Sequence, residues 1–314
     1  MPGVVSLRET SETQSKPSYC RGQGWGALGM LVGSLEAYFC LPFQVQLQHG
    51  FRHRGESAAS GKRVPLRLAE RVVELALAFA IAHDRPSGVV LEACFAVASV
   101  FRLARSVDSV VRRQPDVQLV GRAKKNYVAS CPAAPKARQR CGPQPRYGDK
   151  IVLWEGFDQP PLCEEVTAQV YGKTETVRLL ATPLLWTPLG DGVWFIGAIT
   201  SRGPLVLLRS ALTLAPLTAL QLYCGRSRIE IMFAMLKQLI GAFRLRFWSQ
   251  KLLRHACHPT ATRHLKAPLP RHLPTVQGCW QAYETFVLCA AIALGLLPLI
   301  ALRFGAVVWQ QHTL

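Results

Sequence analysis

A carboxylate flanked by cations stands out within residues 223–237 of the sequence. Four residues form the pattern: Tyr223, Arg226, Glu230 and Lys237. On a helix that turns about 100° per residue, their side chains fall within roughly 60° of one another. Carboxylates bind hard divalent cations, and Arg and Lys bind phosphate oxygens. The spacing therefore predicts a single helix over residues 223–237 that carries these groups along one polar stripe.

The other side of this predicted helix is apolar. Its members are Ile229, Met232, Phe233, Leu236 and Ile240. A helix with such a face packs it against the rest of the protein. For any one residue of the polar stripe, an incidental surface charge is the simpler interpretation, but the four together favour a functional stripe.

A second carboxylate, Glu92, is predicted at the end of a strand. The apolar run 88–92 ends in this residue, and a helical pattern covers residues 95–111. The next predicted strand, 117–123, is accompanied by three cations: Arg122, Lys124 and Lys125. In α/β sheets, ligands bind at the carboxyl ends of strands. We therefore expect Glu92 and these cations to share one edge of a sheet.

The charge of the chain indicates a polyanionic partner. Thirty-seven Lys and Arg against nineteen Asp and Glu give a net charge of +18 and a pI near 9.9. Nucleic acid or an anionic membrane surface would suit such a protein. Residues 102–150 hold twelve basic and three acidic residues, and residues 231–283 hold no carboxylate. Both segments are predicted to lie along a phosphate backbone.

The remaining patterns predict a chain of strands and helices. Residues 25–34 and 38–47 read as paired strands, 64–83 as a helix on a sheet, and 1–24 as an extended loop. Residues 126–147 are rich in proline and cations, which favours a loop or an arm along DNA. An antiparallel meander is predicted from five β-type runs: 150–154, 165–171, 175–186, 193–200 and 205–208.

Cysteines and the last apolar run bear on the compartment. Ten scattered cysteines without a Cys-x2-Cys pair predict reduced thiols in the cytosol. The spacing of His255, Cys257, His258 and His264 fits no standard zinc finger. Residues 286–302 are uncharged, but seventeen residues are fewer than the ~20 that span a membrane. We therefore expect a buried helix there.

The polar stripe matches, at every position, the Tyr-x2-Arg-x3-Glu-x6-Lys signature of the IS4-type DDE transposases. Further segments are similar to the same family. Residues 1–4 and 11–19 resemble the segment after its first catalytic strand, 122–129 the strand and turn after its second carboxylate, and 247–250 the end of its signature helix. The chain thus resembles the catalytic domain of an IS4-type DDE transposase along nearly its whole length.

This resemblance implies a fold and a set of site residues. The fold would be α/β, an RNase H-like core with a β-rich insertion before the last catalytic Glu. Its parts would be residues 1–125, the truncated start of the core; 126–212, loop and insertion; and 213–314, the helical end. The resemblance makes Glu92 and Glu230 catalytic and metal-binding residues, with Mg²⁺ or Mn²⁺ as the cofactor of an active enzyme. It assigns DNA binding to Tyr223, Arg226, Lys237, Arg122, Lys124 and Lys125.

The acidic residues depart from the family pattern. The strand with the family's first Asp would lie upstream of Met1, and Glu92 stands where the family has its second Asp. The extra methylene of Glu matters because catalytic geometry tolerates errors of only ~0.5 Å. We therefore expect an N-terminally truncated and inactive transposase-like protein, without a metal cofactor, that retains DNA affinity.

Three alternatives stay open at this point. The first is an active transposase with a misassigned start. The second is a non-catalytic DNA-binding or interaction protein that keeps the fold as a scaffold, and a membrane-anchored protein ranks last. The expected partner is double-stranded DNA at transposon ends, with no membrane and with homodimerisation left open. The expected location is the cytoplasm, in association with the nucleoid.

Overall fold

The structure is a computed structural model that describes residues 4–8, 19–34, 38–47, 68–106, 117–134, 144–155, 163–210, 214–245, 251 and 270–305. Its contacts divide the chain into two compact units. The sheet unit comprises Gly33–Tyr38 and Leu66–Arg228, and the helical unit comprises Met1–Val32, Phe39–Pro65 and Ile229–Leu314. The predicted division at residues 125 and 212 stays a prediction.

The described secondary structure mixes strands and helices. The strands are β1 (Val4–Arg8), β2 (Tyr19–Gln23), β3 (Trp25–Gly33), β4 (Tyr38–Leu47), β5 (Ser87–Leu91), β6 (Val117–Arg122), β7 (Val128–Pro132), β8 (Tyr147–Val152), β9 (Glu164–Val170), β10 (Lys173–Trp186), β11 (Asp191–Thr200) and β12 (Gly203–Arg209). The α-helices are α1 (Leu68–Ala82), α2 (Ala98–Arg105), α3 (Pro216–Gly225), α4 (Arg228–Met235) and α5 (Leu273–Arg303), and α4 continues into a π-helix at Leu236–Ile240.

The sheet unit is built on one mixed sheet of eight strands. Seven of them follow the order β5-β6-β12-β11-β10-β7-β8, and β9 pairs with β10. Strands β5 and β6 are parallel, and the other pairs are antiparallel. The predicted meander is confirmed for β9 to β12, which follow one another as antiparallel neighbours. The fold is therefore mixed α/β.

The long strand β10 has one edge that two strands share. Its first edge pairs with β11 from Arg178 to Trp186, and this ladder places Pro183 opposite Trp194. On the second edge, β9 pairs with β10 as far as Leu179, and β7 pairs with it at Leu185. The described bridges therefore leave a gap between β9 and β7 on that edge.

Helices cover both faces of the sheet. Because side chains alternate along a strand, Val206 and Leu208 face one hydrophobic cluster while Leu205 and Leu207 face the other. Helices α1 and α2 contribute to the first cluster, where the fully buried Phe101 lies edge-on to Trp186 at a centroid distance of 5.7 Å. Helix α3 packs on the second. The predicted helix over residues 64–83 is confirmed over Leu68–Ala82 as α1, which packs on the sheet, and residues 64–67 lie outside the described residues.

Two predicted loops contain strands. Residues 126–147 were expected to form a loop, but β7 pairs within the sheet and buries Ala129 and Ser130. Residues 1–24 were expected to be an extended loop, but β1 and β2 pair in antiparallel register. Both predictions were wrong there because backbone pairing between strands does not need apolar side chains. Residues 135–143, 1–3 and 9–18 of these segments lie outside the described residues.

In the helical unit, β3 and β4 form the predicted two-stranded pair. Val45 of β4 belongs to a core that also contains Met232, Leu236 and Tyr283. The thiol of Cys40 contacts the Met232 sulfur at 3.8 Å, and the backbone N–H of Leu47 donates to the Glu284 carboxylate at 3.1 Å. Side chains from β4, α4, the π-helix and α5 thus form one core.

Helix α5 buries one narrow stripe. The stripe consists of Val276, Trp280, Tyr283, Val287, Ala290, Ala291 and Leu294. The prediction of a buried helix over residues 286–302 was wrong for the surface of α5 outside this stripe. Large apolar side chains lie there, and one of them, Ile292, is 63% exposed. Composition does not distinguish a core helix from one with a second apolar face. By length and composition, Pro270–Ala301 could cross a membrane, and it is the one such helix among the described residues.

Candidate anion-binding site at the end of strands β5 and β6

The parallel pairing of β5 and β6 places Glu92 beside Arg122. The register joins Leu91 to Gly121, so the next residue of each strand lies at the same edge of the sheet. A turn then fixes the backbone after Glu92, whose carbonyl accepts hydrogen bonds from the N–H groups of Phe95 and Ala96 at 2.9 and 3.1 Å. The predicted position of the carboxylate at a cationic strand end is confirmed.

Arg226 forms an ion pair with Glu92. Its Nη2 atom lies 2.5 Å from Oε2 of Glu92, and both side chains are partly exposed. Arg226 follows α3 directly, and its backbone N–H donates to the carbonyl of Tyr223 at 3.1 Å. A cation is favourable at a helix C-terminus because the unsatisfied carbonyls there carry partial negative charge. The end of α3 thus presents a guanidinium to the strand edge.

Tyr223 connects Arg226 and Arg122. The guanidinium carbon of Arg226 lies 5.8 Å from the centre of the Tyr223 ring. Burial and the negative charge of Glu92 raise the pKa of the Tyr223 hydroxyl, while Arg226 and Arg122, which hydrogen-bonds the hydroxyl, act in the opposite direction. Because the net shift is upward, Tyr223 stays neutral at physiological pH and its hydroxyl keeps a proton to donate.

Cys94 lies near the Glu92 carboxylate and near Lys124. Lys125 contacts an aromatic ring instead. Burial raises the pKa of the Cys94 thiol, and the charge of Glu92 raises it further, while Lys124 and Arg226 lower it. Lys125 instead places its amino group 5.9 Å from the centre of the Trp154 ring. Sequence patterns did not indicate Cys94, since a lone cysteine after a strand carries no motif.

The Cys94 thiol reports the charge of Glu92. Because the carboxylate raises the pKa of the thiol, we expect Glu92→Gln to increase the thiolate fraction and to speed alkylation of Cys94 by iodoacetamide at pH 8. Arg226→Gln removes a charge that lowers this pKa and should slow the reaction. Peptide mass spectrometry against time measures the Cys94 rate, with exposed Cys289 as the internal reference. Equal Cys94 rates in all three proteins would contradict the proximity of these charges.

The signature residues do not lie on one helix. Helix α3 ends at Gly225, a turn covers Arg226 and Ser227, and α4 then begins at Arg228. The prediction of a continuous helix over residues 223–237 was therefore wrong. Gly225 weakens a helix, and the Ser227 hydroxyl donates to the carbonyl of Cys224 at 3.3 Å, which favours a turn.

The apolar face that the sequence predicts for residues 229–240 is confirmed in the helical unit. Met232 and Leu236 are buried, and Ile229, Phe233 and Ile240 pack against them. Glu230 in the first turn of α4 and Lys237 in the π-helix are exposed. The site described above thus joins Glu92, Arg122, Lys124, Tyr223 and Arg226 of the sheet unit, whereas Glu230 and Lys237 belong to the helical unit.

The donor set around Glu92 does not fit a divalent metal ion. Two-metal phosphoryl chemistry needs several carboxylates that converge on the ions. Among the described residues, no group of three or more His, Cys, Asp or Glu side chains could hold a metal ion. The Glu92 carboxylate is bonded to Arg226, and Arg122 and Lys124 add positive charge. Such an arrangement suits an anionic group.

No protein-family model matches the chain, and no curated protein is significantly similar to it. Its fold and site therefore define only a class: a mixed α/β protein whose parallel strand pair ends in a cationic cluster around one carboxylate.

Proposed function

We propose that the chain is a transposase-like DNA-binding protein, related to the IS4-type DDE transposases and without strand-cleavage activity. The observation that carries the proposal is the Glu92–Arg226 ion pair at the carboxyl ends of β5 and β6. This ion pair joins Arg226, which is part of the Tyr-x2-Arg-x3-Glu-x6-Lys pattern, to the strand-end carboxylate of Glu92 within the sheet unit. The proposed architecture is an RNase H-like core, for which the parallel pair β5–β6 with helices on both faces is the support.

In this proposal, Glu92 positions Arg226 and binds no metal ion. A carboxylate that accepts a hydrogen bond from a guanidinium fixes the direction of the remaining N–H groups. Arg122 and Lys124 then provide further positive charge for a phosphate of the DNA backbone. Contacts of this kind position a duplex without reading its sequence. The proposed activity is therefore sequence-independent binding of duplex DNA.

Paired substitutions test the strand-end site. We expect Arg122→Gln together with Lys124→Gln to weaken binding of a 30-base-pair duplex by about tenfold or more, because two phosphate contacts and their released counterions are lost. The matched control is Lys173→Gln with Arg178→Gln, which removes the same charge from exposed positions of β10. Fluorescence anisotropy gives both affinities, and circular dichroism checks the fold. Equal losses in the two double variants would refute the proposed location.

A plasmid-nicking assay tests the absence of cleavage. We expect no conversion of supercoiled plasmid to nicked circles above background in Mg²⁺ or Mn²⁺, because the described carboxylates do not form a metal-binding group. Nicking that disappears in Glu92→Ala or Glu230→Ala would show an active DDE enzyme instead. The binding and nicking assays thus separate the two candidate activities.

A further inference from the structure

Arg209, the last residue of β12, is buried beside the strand that carries Arg122: it lies opposite Val120 of β6, two residues before Arg122. Its exposed fraction is 2%. It lies on the same face of β12 as Leu205 and Leu207 and opposite Trp194 of β11 in the antiparallel ladder. The guanidinium carbon is 5.0 Å from the centre of the Trp194 ring. The two side chains therefore lie side by side on one face of the sheet.

Both side chains keep hydrogen-bond donors that the described residues do not satisfy. Atoms Nε and Nη1 of Arg209 and Nε1 of Trp194 are buried, and within the described ranges none has a hydrogen-bond partner. Burial lowers the pKa of Arg209. Three buried donors without an acceptor thus lie together in the sheet unit.

This arrangement needs an acceptor. Arg stays charged in proteins, and both guanidinium and indole are donors only. Buried charges in folded proteins are normally paired, because an unpaired one loses its hydration without compensation. An oxyanion supplies both the opposite charge and several acceptor oxygens. The enclosure of Arg209 restricts the occupant to a small ion, since a phosphate within a duplex brings its whole backbone with it.

We propose that Arg209 and Trp194 bind one small free oxyanion, of which inorganic phosphate is the representative. Arg209 provides the charge and its Nε–H and Nη1–H groups, and the Trp194 indole N–H provides a third donor. The bound ion neutralises the charge of Arg209, which lies on the face of the sheet on which α3 packs. Arg209 and Trp194 are not among the proposed DNA-binding residues, although Arg122 lies two residues from Arg209 in register, so the two proposals are tested with different variants.

Thermal unfolding with inorganic phosphate tests the proposal. Phosphate replaces chloride at constant ionic strength from 0 to about 50 mM, and the protein is the full chain. A ligand that binds only the folded state raises Tm, on the order of 5 °C at one hundred times its Kd. We expect this saturable rise in the wild type and in the control Arg178→Met, and its loss in Arg209→Met. Without phosphate, Arg209→Met should be at least as stable as the wild type, because an unpaired charge is gone.

A second variant and a DNA control extend the phosphate experiment. If Arg209→Met does not fold, Trp194→Phe keeps the ring, removes the indole donor and should weaken the phosphate effect. A 30-base-pair duplex at equal phosphate-group concentration should give no Tm rise that depends on Arg209. The proposal would be overturned if phosphate did not raise the Tm of the wild type, or if it raised the Tm of both variants as much as that of the wild type. It would also be overturned if the duplex alone gave a Tm rise that depends on Arg209.

Discussion

Raising the salt concentration from 50 to 200 mM is expected to weaken duplex DNA binding by about 10³- to 10⁵-fold, the loss typical of a protein that contacts six to ten phosphates. The chain carries 37 Lys and Arg against 19 Asp and Glu. Each phosphate that a cation neutralises releases condensed counterions, and added salt reduces the entropy gained from that release. The strand-end cations Arg122, Lys124 and Arg226 would contribute a part of this dependence.

The measurement is anisotropy of a labelled 30-base-pair duplex over a series of salt concentrations. A plot of log K against log salt gives a slope of about −0.9 for each neutralised phosphate. A second duplex of equal length and unrelated sequence is the control, and its affinity should agree within a few-fold if binding reads no bases. A flat plot, or no binding at 50 mM salt, would contradict the proposed function.

Phe101→Ala is expected to lower the free energy of unfolding by about 3 to 5 kcal/mol. Phe101 is fully buried in the core beneath α2, and its ring packs edge-on to Trp186. Truncation removes a large apolar surface and leaves a cavity that close-packed neighbours fill only in part. Since small domains unfold at a cost of about 5 to 15 kcal/mol, this one change would consume much of the stability.

Urea denaturation followed by circular dichroism measures this loss. The matched control is Ile81→Ala on α1, where the side chain is 60% exposed, and its effect should stay within about 0.5 kcal/mol. If Phe101→Ala loses no more than Ile81→Ala, then Phe101 does not lie in the core that the structure shows.

The strand-end site was the part of the structure most accessible from sequence. Glu92 closes one apolar run and Arg122 closes the next, and a helix intervenes between the two. A strand, a helix and a strand in succession favour a parallel pair, whose carboxyl ends must meet. The signals were local, and they predicted the shared edge of the sheet, whereas the register of β5 and β6 comes from the structure.

The break between α3 and α4 could not be found from periodicity. Two turn residues at Arg226 and Ser227 interrupt the helix, but the apolar residues after them keep their spacing within α4. Gly225 was a signal, but glycine also occurs inside helices. Strand β7 was missed for a related reason: its partner β10 is distant in sequence, and its five-residue run ends in Pro132.

The surroundings of α5 were the least predictable feature. Its apolar sequence is compatible with a protein core or with a second apolar surface, and the two differ only in what packs around the helix. The buried stripe that ends at Leu294 accounts for one face, while Leu296, Leu297 and Ile300 are exposed in the described structure. Burial is a property of tertiary contacts, which a run of apolar letters does not encode.

Pro183 lies in the gap between the two strands that share the second edge of β10. An open strand edge is a template on which the strand of another molecule can add through backbone hydrogen bonds. Proline has no backbone N–H, so it cannot donate to an incoming strand. Along the described part of this edge, β10 therefore offers an incoming strand no backbone donor at Pro183, and a missing donor disfavours strand addition.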